Sequence, residues 1–379
     1  MKRNYIFSIF TLMVVFIITS RAQAQDPLPC GNYRIDKAAE AKATQFILKN
    51  KTKAARINLI RVYFHIVAND DGTNAAITTD QIAAEYATLL QSYATDNICF
   101  LNAGTNVVKN TFLNTLFNAD NDPEGTFFSP YQVPNCINVF YTQKINGTNN
   151  ACNPPCGIGG IALGGIPGTF LLVSKNNIGK GSTTSHEMGH CLGLLHTFEK
   201  SDGFENIDGS NSTTAGDHVS DTPADPYAYV GNACFLFGSN QCTFIGVCPD
   251  PKNAINYNPP YTNLMAYWWN GKDANGFFVS CYPNLTLTNG QFARVDGFLG
   301  SFIPLIGCSS ANDVLQTGIA VSTGYYMNSA INTFTTSGSV SFSGSSTATI
   351  GGGKVFLMSG FHANPSNGGI VRIEGRPCN

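Results

Sequence analysis

The spacing of hydrophobic residues changes along the chain, and each change predicts a different kind of secondary structure. Residues 57–67 form an apolar run rich in β-branched and aromatic side chains, which is typical of a central strand. Apolar residues then recur at helical spacing from Ile82 to Tyr93, and the Thr-Thr-Asp-Gln segment that starts at Thr78 suits the beginning of a helix. Three shorter apolar runs predict strands at 98–101, 136–141 and 170–174. We therefore expect helices and strands to be mixed in this part of the chain.

The first 24 residues have the three parts of a secretory signal peptide. Lys2 and Arg3 precede an apolar stretch over residues 5–18, and an Ala-Gln-Ala sequence at 22–24 supplies a cleavage site of the small-x-small type. The apolar stretch is shorter than the roughly 20 residues that a membrane-spanning helix needs. We therefore expect cleavage and secretion to the extracellular space, without membrane insertion.

The segment over residues 25–56 is polar and rich in alanine and lysine, and residues 36–43 favour a helix. It ends in a basic run, Lys-Thr-Lys-Ala-Ala-Arg at 51–56, that suits proteolytic processing. We predict that residues 25–56 are a propeptide, which precedes the first strand of the main domain.

The end of the chain differs in composition from the rest. Residues 309–379 contain only five charged side chains and are dominated by serine, threonine and glycine. Short alternating runs, such as those at 339–343 and 354–358, are separated by glycines, which predicts strands joined by turns. We expect a small all-β module at 308–379. It resembles a compact C-terminal module of secreted bacterial proteins, which implies association with a cell surface or a glycan.

Charge and cysteine content narrow the class of protein. Removal of the signal peptide leaves 19 lysines and arginines against 24 aspartates and glutamates, a net charge of −5. A mildly acidic chain without a basic patch is not expected to bind nucleic acid or an anionic membrane surface. Twelve cysteines in an exported protein are expected to form disulfide bonds, whose connectivity the sequence leaves open.

The candidate chemistry lies in the run His-Glu-Met-Gly-His-Cys-Leu-Gly-Leu-Leu-His, which begins at His186. On a helix, His186 and His190 project from one face and can bind one metal ion. Glu187 lies at the edge of that face, where its carboxylate can reach a water rather than the metal. Gly193 permits a sharp left-handed turn, after which His196 can return as a third ligand. Three protein ligands and one open position are typical of catalytic zinc.

The extended motif HExxHxxGxxH is similar to that of the metzincin metalloproteases. Three later segments, at 216–224, 263–267 and 287–291, complete an ordered set that resembles the pappalysin family, in particular its ulilysin-like members. The resemblance covers roughly residues 57–306. It implies an α+β catalytic domain over 57–307, with a twisted, mostly parallel sheet, an active-site helix and a Met-turn. It also implies a secreted zinc endopeptidase that hydrolyses protein or peptide substrates.

The resemblance assigns roles to further residues. Met265 matches the methionine that lies under the metal as a hydrophobic floor, and Tyr267 matches the tyrosine that hydrogen-bonds the developing oxyanion; an ordinary core methionine and an exposed aromatic are the alternatives. Asp217 and Thr222 match a calcium-binding loop, for which a solvated loop is the alternative. Asp273 lies in a segment that is longer and less acidic than is usual in the family, and it is a candidate for the base of an acidic substrate pocket.

Two hypotheses concern latency and substrate binding. Cys30 lies upstream of the basic run, and its thiolate can occupy the open position of the zinc, as in related proenzymes; a disulfide bond is the alternative. A substrate strand is expected to pair with residues 170–174, taken as the edge of the sheet. A non-catalytic secreted adhesin with a zinc-stabilised scaffold is the rival function, and the presence of Glu187 argues against it.

Overall fold

The computed structural model describes most of the chain between residues 35 and 375. The signal peptide and Cys30 lie outside the described residues. No helix in the described part of the chain is long and apolar enough to cross a membrane. The described ranges are 35–50, 58–94, 98–147, 158–179, 182–230, 236–237, 244–250, 254–267, 270–273, 278–280, 285–306 and a series of strands between 313 and 375.

A five-stranded sheet forms the centre of the fold. Its strands are β1 (Asn58–Ala68), β2 (Ile98–Lys109), β3 (Ile137–Thr142), β4 (Gly160–Ala162) and β5 (Phe170–Ser174). They lie in the order β2-β1-β3-β5-β4, and all pairs are parallel except that of β4 with β5. The four strands predicted from apolar runs are confirmed as β1, β2, β3 and β5, and the sheet is mostly parallel.

The expectation that residues 170–174 form the edge of the sheet is wrong. All five residues of β5 are buried, and β5 lies between β3 and β4. Its unbroken apolar run reflects burial on both faces, which is the property of an internal strand. The edge on this side of the sheet is β4, a three-residue Gly-Ile-Ala strand that is too short to give an apolar pattern.

Five α-helices are described: α1 (Lys37–Asn50), α2 (Thr79–Ser92), α3 (Thr183–Cys191), α4 (Tyr227–Val230) and α5 (Asn289–Ile306). The predicted start of α2 is confirmed. The Thr78 hydroxyl accepts from the Gln81 amide at 3.3 Å, and the Gln81 side chain accepts from the Thr78 amide at 3.0 Å, so that a capping box begins the helix. The apolar faces of α2, α3 and α5 share one core with the sheet.

A long segment whose described residues are mostly irregular lies between α3 and α5. It contains α4 and the short strands β6 (Leu236–Phe237), β7 (Asn270–Asp273) and β8 (Phe278–Ser280), which form a small sheet in the order β6-β7-β8. It also contains the Asn-Leu-Met-Ala-Tyr turn at 263–267, which lies between β6 and β7.

Beyond α5 the described residues form strands only. These strands are β9 (Asp313–Val321), β10 (Tyr325–Ser329), β11 (Thr333–Gly344), β12 (Thr347–Gly352), β13 (Lys354–Leu357), β14 (Phe361–Pro365) and β15 (Ile370–Gly375).

Every pairing described among these strands is parallel. Thr333 pairs with Asp313 and with Lys354, which are 20 and 21 residues away. Thr347 pairs with Tyr325 and Ile370, which are 22 and 23 residues away. The chain therefore returns to the same position every 20 to 23 residues, in the manner of stacked coils. The alternating runs predicted strands here, but they did not indicate this repeat.

Two cysteines depart from the expected disulfides. Cys136 and Cys191 are buried and carry thiols, whereas Cys248 is disulfide-bonded. Cys191 lies in the main core, where its Sγ donates to the Phe170 carbonyl at 3.6 Å. Burial raises the pKa of this thiol far above its usual value, and the nearby Glu187 raises it further. Cys191 therefore behaves as a small core residue.

Candidate active site

Contacts with α2 fix the rotation of helix α3 about its own axis. All nine of its residues are buried. The Tyr93 hydroxyl donates to the Ser185 carbonyl at 2.9 Å, and the Thr184 hydroxyl donates to the carboxylate of Glu85. Because these contacts lie on the side of α3 that faces α2, the histidine side of the helix is directed to the loop that follows.

The three histidines of the motif converge on one point. Nε2 of His196 lies 3.2 Å from Nε2 of His186 and 3.2 Å from Nε2 of His190. All three side chains are buried, and the donor atoms lie within 4.8 Å of one another. The local spacing of the motif therefore produces a cluster of three nitrogen donors.

Hydrogen bonds fix which nitrogen of each ring faces the centre. Nδ1 of His186 lies 2.7 Å from the Leu264 carbonyl, and Nδ1 of His190 lies 2.8 Å from the Leu194 carbonyl. A carbonyl can only accept, so Nδ1 carries the proton in both rings and Nε2 keeps its lone pair for a metal.

The imidazoles are also kept neutral, as metal ligation requires. Burial lowers the pKa of His186 to about 4. Burial and the neighbouring imidazoles lower the pKa values of His190 and His196 well below their usual range. Three neutral, converging imidazoles fit Zn²⁺.

The turn that brings His196 back requires glycine. Gly193 has φ +93°, and a Cβ there would lie 2.1 Å from Cδ2 of Phe298 on α5. The amide of Gly193 donates to the His190 carbonyl at 3.0 Å, so the turn begins directly after the second histidine. Both the backbone conformation and the packing against Phe298 therefore exclude a side chain at this position.

The carboxylate of Glu187 lies between α3 and the edge strand. Glu187 is fully buried, and a Cβ at Gly160 in β4 would lie 2.7 Å from its Cγ and Oε1. The absence of a side chain at Gly160 thus leaves room for the carboxylate against the backbone of β4. No sequence pattern indicated a role for Gly160.

The turn at 263–267 closes the site from below. Met265 is fully buried, and a Cβ at Gly189 of α3 would lie 2.5 Å from its sulfur. The Thr197 amide donates to the Met265 carbonyl at 3.2 Å, directly after the third histidine. The ring of Tyr267 lies 4.9 Å from that of His196 and 5.9 Å from that of His186, between centroids. The structure thus brings Met265 and Tyr267 to the histidine cluster.

A pair of buried side-chain amides, which no sequence pattern predicted, holds this turn. Nδ2 of Asn263 donates to the Gln291 side chain at 2.8 Å, and Nε2 of Gln291 donates back to Asn263 at 3.1 Å. The Asn263 side chain also accepts from the Met265 amide at 2.9 Å. Gln291 belongs to the Leu-Thr-Asn-Gly-Gln segment of the resemblance, which therefore positions the turn under the histidines.

Asp217 and Thr222 are both buried, and Glu205 lies with them. The Asp217 Oδ2, Thr222 Oγ1 and Glu205 Oε2 atoms are buried without a hydrogen-bond partner in the described part of the chain. Burial raises the pKa of Asp217 well above its usual value, and Glu205 raises it further. Burial, with a contribution from Asp225, raises the pKa of Glu205 to about 7. Two carboxylates and a hydroxyl with unsatisfied oxygens match the preferences of a hard cation.

Two predicted residues are not placed in the site. Asp273 is the last residue of β7, opposite Phe237 of β6, but its side chain is outside the described residues. Cys30 is outside them as well. The nearest described residue after it, Ile35, pairs with Ile166, and Gly168 two residues further donates from its amide to the Cys191 carbonyl at 3.2 Å. Ile35 therefore pairs with the segment that contacts the end of α3 two residues later.

Known proteins are similar to this chain over the residues that form the site. The model of the peptidase M43 family, described as pregnancy-associated plasma protein-A, matches residues 160–267, from β4 to Tyr267. An extracellular metalloprotease of Podospora anserina is 29% identical over 256 residues, 64% of this chain and 74% of the relative. Those of Neurospora crassa and Verticillium alfalfae are 25% and 28% identical; they align with 70% and 66% of this chain and with 82% and 78% of their own lengths.

These relatives and the converging histidines define the class of the protein as a metalloendopeptidase. More specifically, it is a secreted, zinc-dependent peptidase that acts on protein or peptide substrates. These three relatives are fungal, so the expected bacterial relationship of the C-terminal module stays a prediction.

Proposed function

We propose that Glu187 is the general base and acid of an endopeptidase whose zinc is held by His186, His190 and His196. The observation that carries this proposal is the buried position of the Glu187 carboxylate between the helix of the ligands and the edge strand β4. The carboxylate is adjacent to the ligands in sequence, and its Oε1 lies against the backbone of β4 at Gly160.

The chain's own groups supply proton transfer, charge stabilisation and orientation. Zinc, when bound, supplies Lewis-acid chemistry that makes water more acidic and polarises the substrate carbonyl. Glu187 takes a proton from the attacking water and delivers it to the nitrogen of the departing amine. Tyr267 donates a hydrogen bond to the carbonyl oxygen as negative charge develops there. Met265 supports the ligands from below and takes no part in proton transfer.

We place the substrate along β4 rather than β5. The described residues pair β4 with β5 on one side only, so an extended substrate can add to the other side as a further strand. Main-chain hydrogen bonds to Gly160–Ala162 then hold the scissile peptide beside Glu187. Asp273 is proposed as the acidic base of a substrate pocket, and Asp273→Asn should change the residue preferred in a peptide-library cleavage profile.

Replacement of Glu187 by glutamine tests the mechanism. Glu187→Gln should retain zinc, because the three histidines remain, but lose about 10²- to 10⁴-fold in kcat. Glu124→Gln, an exposed carboxylate of the same domain, is the control and should behave as the parent. Near-normal hydrolysis by a folded, zinc-loaded Glu187→Gln protein would exclude this role and would favour the non-catalytic adhesin.

We further propose that the enzyme is made as a latent proenzyme in which the Cys30 thiolate is a fourth zinc ligand. Ile35, which pairs with Ile166, is five residues from Cys30, and five extended residues span about 17 Å. A Cys30→Ala precursor should show activity before cleavage or process itself faster than the parent. An equally latent Cys30→Ala precursor, with Cys30 found in a disulfide by mass spectrometry, would refute the ligand role.

We propose calcium as a second ion, bound by Asp217, Thr222 and Glu205. Calcium should raise the melting temperature of the zinc-loaded parent, since an ion that binds only the folded state stabilises it. Asp217→Asn should remove this shift, whereas Asp208→Asn, an exposed residue of the same loop region, should retain it. If the parent shows no shift with calcium, the site does not exist.

We also propose that residues 308–379 are a separate module that binds a cell surface or a glycan. Deletion of this segment should leave peptide hydrolysis unchanged and abolish binding to the surface of the producing cells. Loss of hydrolysis on deletion would instead make these strands part of the catalytic domain.

A further inference from the structure

Helix α1, in the segment expected to be a propeptide, is joined to the catalytic domain by a cluster of charges. Oε1 of Glu40 accepts from Arg294 Nη2 at 2.7 Å and from His218 Nδ1 at 3.0 Å. Lys37 forms ion pairs with Glu40 and Asp202, and His218 Nε2 lies 3.2 Å from Asp202. Arg294 and Lys37 balance the two carboxylates, so this is an ion-pair network rather than a metal site.

Burial and backbone conformation hold the residues of this network in place. Glu40 and Arg294 are less than 10% exposed, although six of the eight α1 side chains that the structure describes are exposed. Burial alone would raise the pKa of Glu40, but the hydrogen bonds from His218 and Arg294 outweigh it and hold that pKa well below its usual range. His218 has φ +62°, a backbone conformation that residues other than glycine seldom adopt and that its surroundings must impose.

Arg294 extends this network to the zinc-binding turn. Its Nε donates to the Gly193 carbonyl at 2.8 Å, while its Nη2 holds Glu40. Gly193 is followed by Leu194, whose carbonyl orients the ring of His190. One guanidinium thus connects α1 to the turn that precedes His196 and aligns His190.

Apolar contacts also connect α1 to the Gly193 turn. Ala39 of α1 is buried against Phe298 of α5, the ring on which Gly193 lies. The guanidinium carbon of Arg294 lies 5.1 Å from the centre of that ring. Removal of α1 would uncover Phe298 and leave the Arg294 charge without its carboxylate, next to the active-site turn.

We propose that α1 is a working part of the active peptidase, in which Glu40 positions the Gly193 turn through Arg294. Both are positioning residues, and α1 stays bound to the catalytic domain after activation. A cut within residues 51–56 therefore nicks the chain without releasing α1. Cys30 leaves the enzyme only after a second cut, between Cys30 and Asp36.

This inference rests on the proposed zinc site, and zinc affinity is its first test. In the full-length zinc protein, competition with a chromogenic chelator should show that Glu40→Gln weakens zinc binding about 10-fold. This is the lower end of the ~10- to 100-fold lost with a direct hydrogen-bond partner of a metal ligand, because Glu40 acts through Arg294 and the Gly193 turn. Lys42→Gln, on the exposed face of the same helix, should bind zinc as the parent does. The measurement is made well below the melting temperature, so that simple destabilisation does not change it.

Arg294→Lys provides a second variant that retains the charge facing Glu40 but lacks the Nε–H donated to Gly193. It should weaken zinc binding by a similar factor, and the double variant should lose little more, because both residues act through one contact. Parent-like zinc affinity in either folded variant overturns the positioning role. A parent that binds no zinc overturns the proposed zinc site together with this inference.

Retention of α1 is tested on the processed, active enzyme. After gel filtration under native conditions, denaturing mass spectrometry should find the peptide that contains Lys37–Asn50 in equal amount with the catalytic chain, either attached or as a separate fragment. Active enzyme that lacks this helix overturns the inference, whatever its zinc affinity.

Discussion

Replacement of Gly193 by alanine should test whether the turn behind the zinc-binding helix has any freedom to adjust. Gly193 has φ +93°, and a Cβ would lie 2.1 Å from Cδ2 of Phe298 and 2.5 Å from two further ring atoms. No van der Waals contact is that short, so either the ring or the turn must move.

The expected loss of stability has two parts. Forcing alanine into a left-handed conformation costs about 1–2 kcal/mol, and overpacking a closed core contact costs about 1–3 kcal/mol more. We therefore expect Gly193→Ala to lower the free energy of unfolding by about 2–5 kcal/mol. Movement of the turn should also displace His196 and reduce zinc affinity.

Gly203→Ala is a matched control. Gly203 has φ +101°, close to that of Gly193, but a Cβ there would have no atom within 4 Å. Gly203→Ala should lower the free energy of unfolding only by the backbone contribution of about 1–2 kcal/mol, and it should retain zinc. Urea unfolding of both proteins, with metal content measured by chelator release, separates the two contributions. Equal stability and equal zinc affinity in the two variants would refute the argument that contact with Phe298 fixes the turn.

Three further predictions address the site and the core. Gly160→Ala should lose at least about 10-fold in kcat while retaining zinc, since its Cβ would displace the Glu187 carboxylate, and unchanged turnover would contradict that placement. Tyr267→Phe should lower kcat about 10²-fold with little change in KM, as expected for one donor to an oxyanion, and a change in KM alone would assign it to substrate binding. His65 is buried against Phe140, and burial lowers its pKa to about 4. As pH falls from about 6.5 to 4, the unfolded chain therefore binds a proton at this histidine before the folded protein does, which should lower the free energy of unfolding by about 3 kcal/mol. Denaturant unfolding of His65→Gln should show a smaller loss of stability over that pH range.

The sequence predicted best what is determined locally. The three histidines, Glu187 and Gly193 lie within eleven residues, so helical periodicity and one left-handed turn suffice to bring the donor atoms together. The capping box at Thr78 and the apolar run of β1 are local in the same sense. Each was recognisable because its geometry depends on neighbours in the chain.

The features that the sequence did not predict depend on contacts between residues far apart in the chain, or on backbone groups that every residue has. The acceptor for His186 is the backbone carbonyl of Leu264, which leaves no trace in residue type. Arg294 and Glu40 meet across 254 positions, and neither belongs to a recognisable motif. The edge strand β4 was missed because three residues, one of them glycine, carry no periodic pattern. In the proposed binding mode, the substrate pairs with this strand.

The parallel register of the C-terminal strands sets how that part of the chain can change in length. Because Thr333 lies between partners 20 and 21 residues away, an insertion of a few residues would shift every later strand out of register. A duplication or loss of one whole coil would instead preserve all the remaining pairings. Evolution can therefore lengthen or shorten this region in steps of about one coil, and so change how far the distal end of the stack extends without altering the peptidase that precedes it.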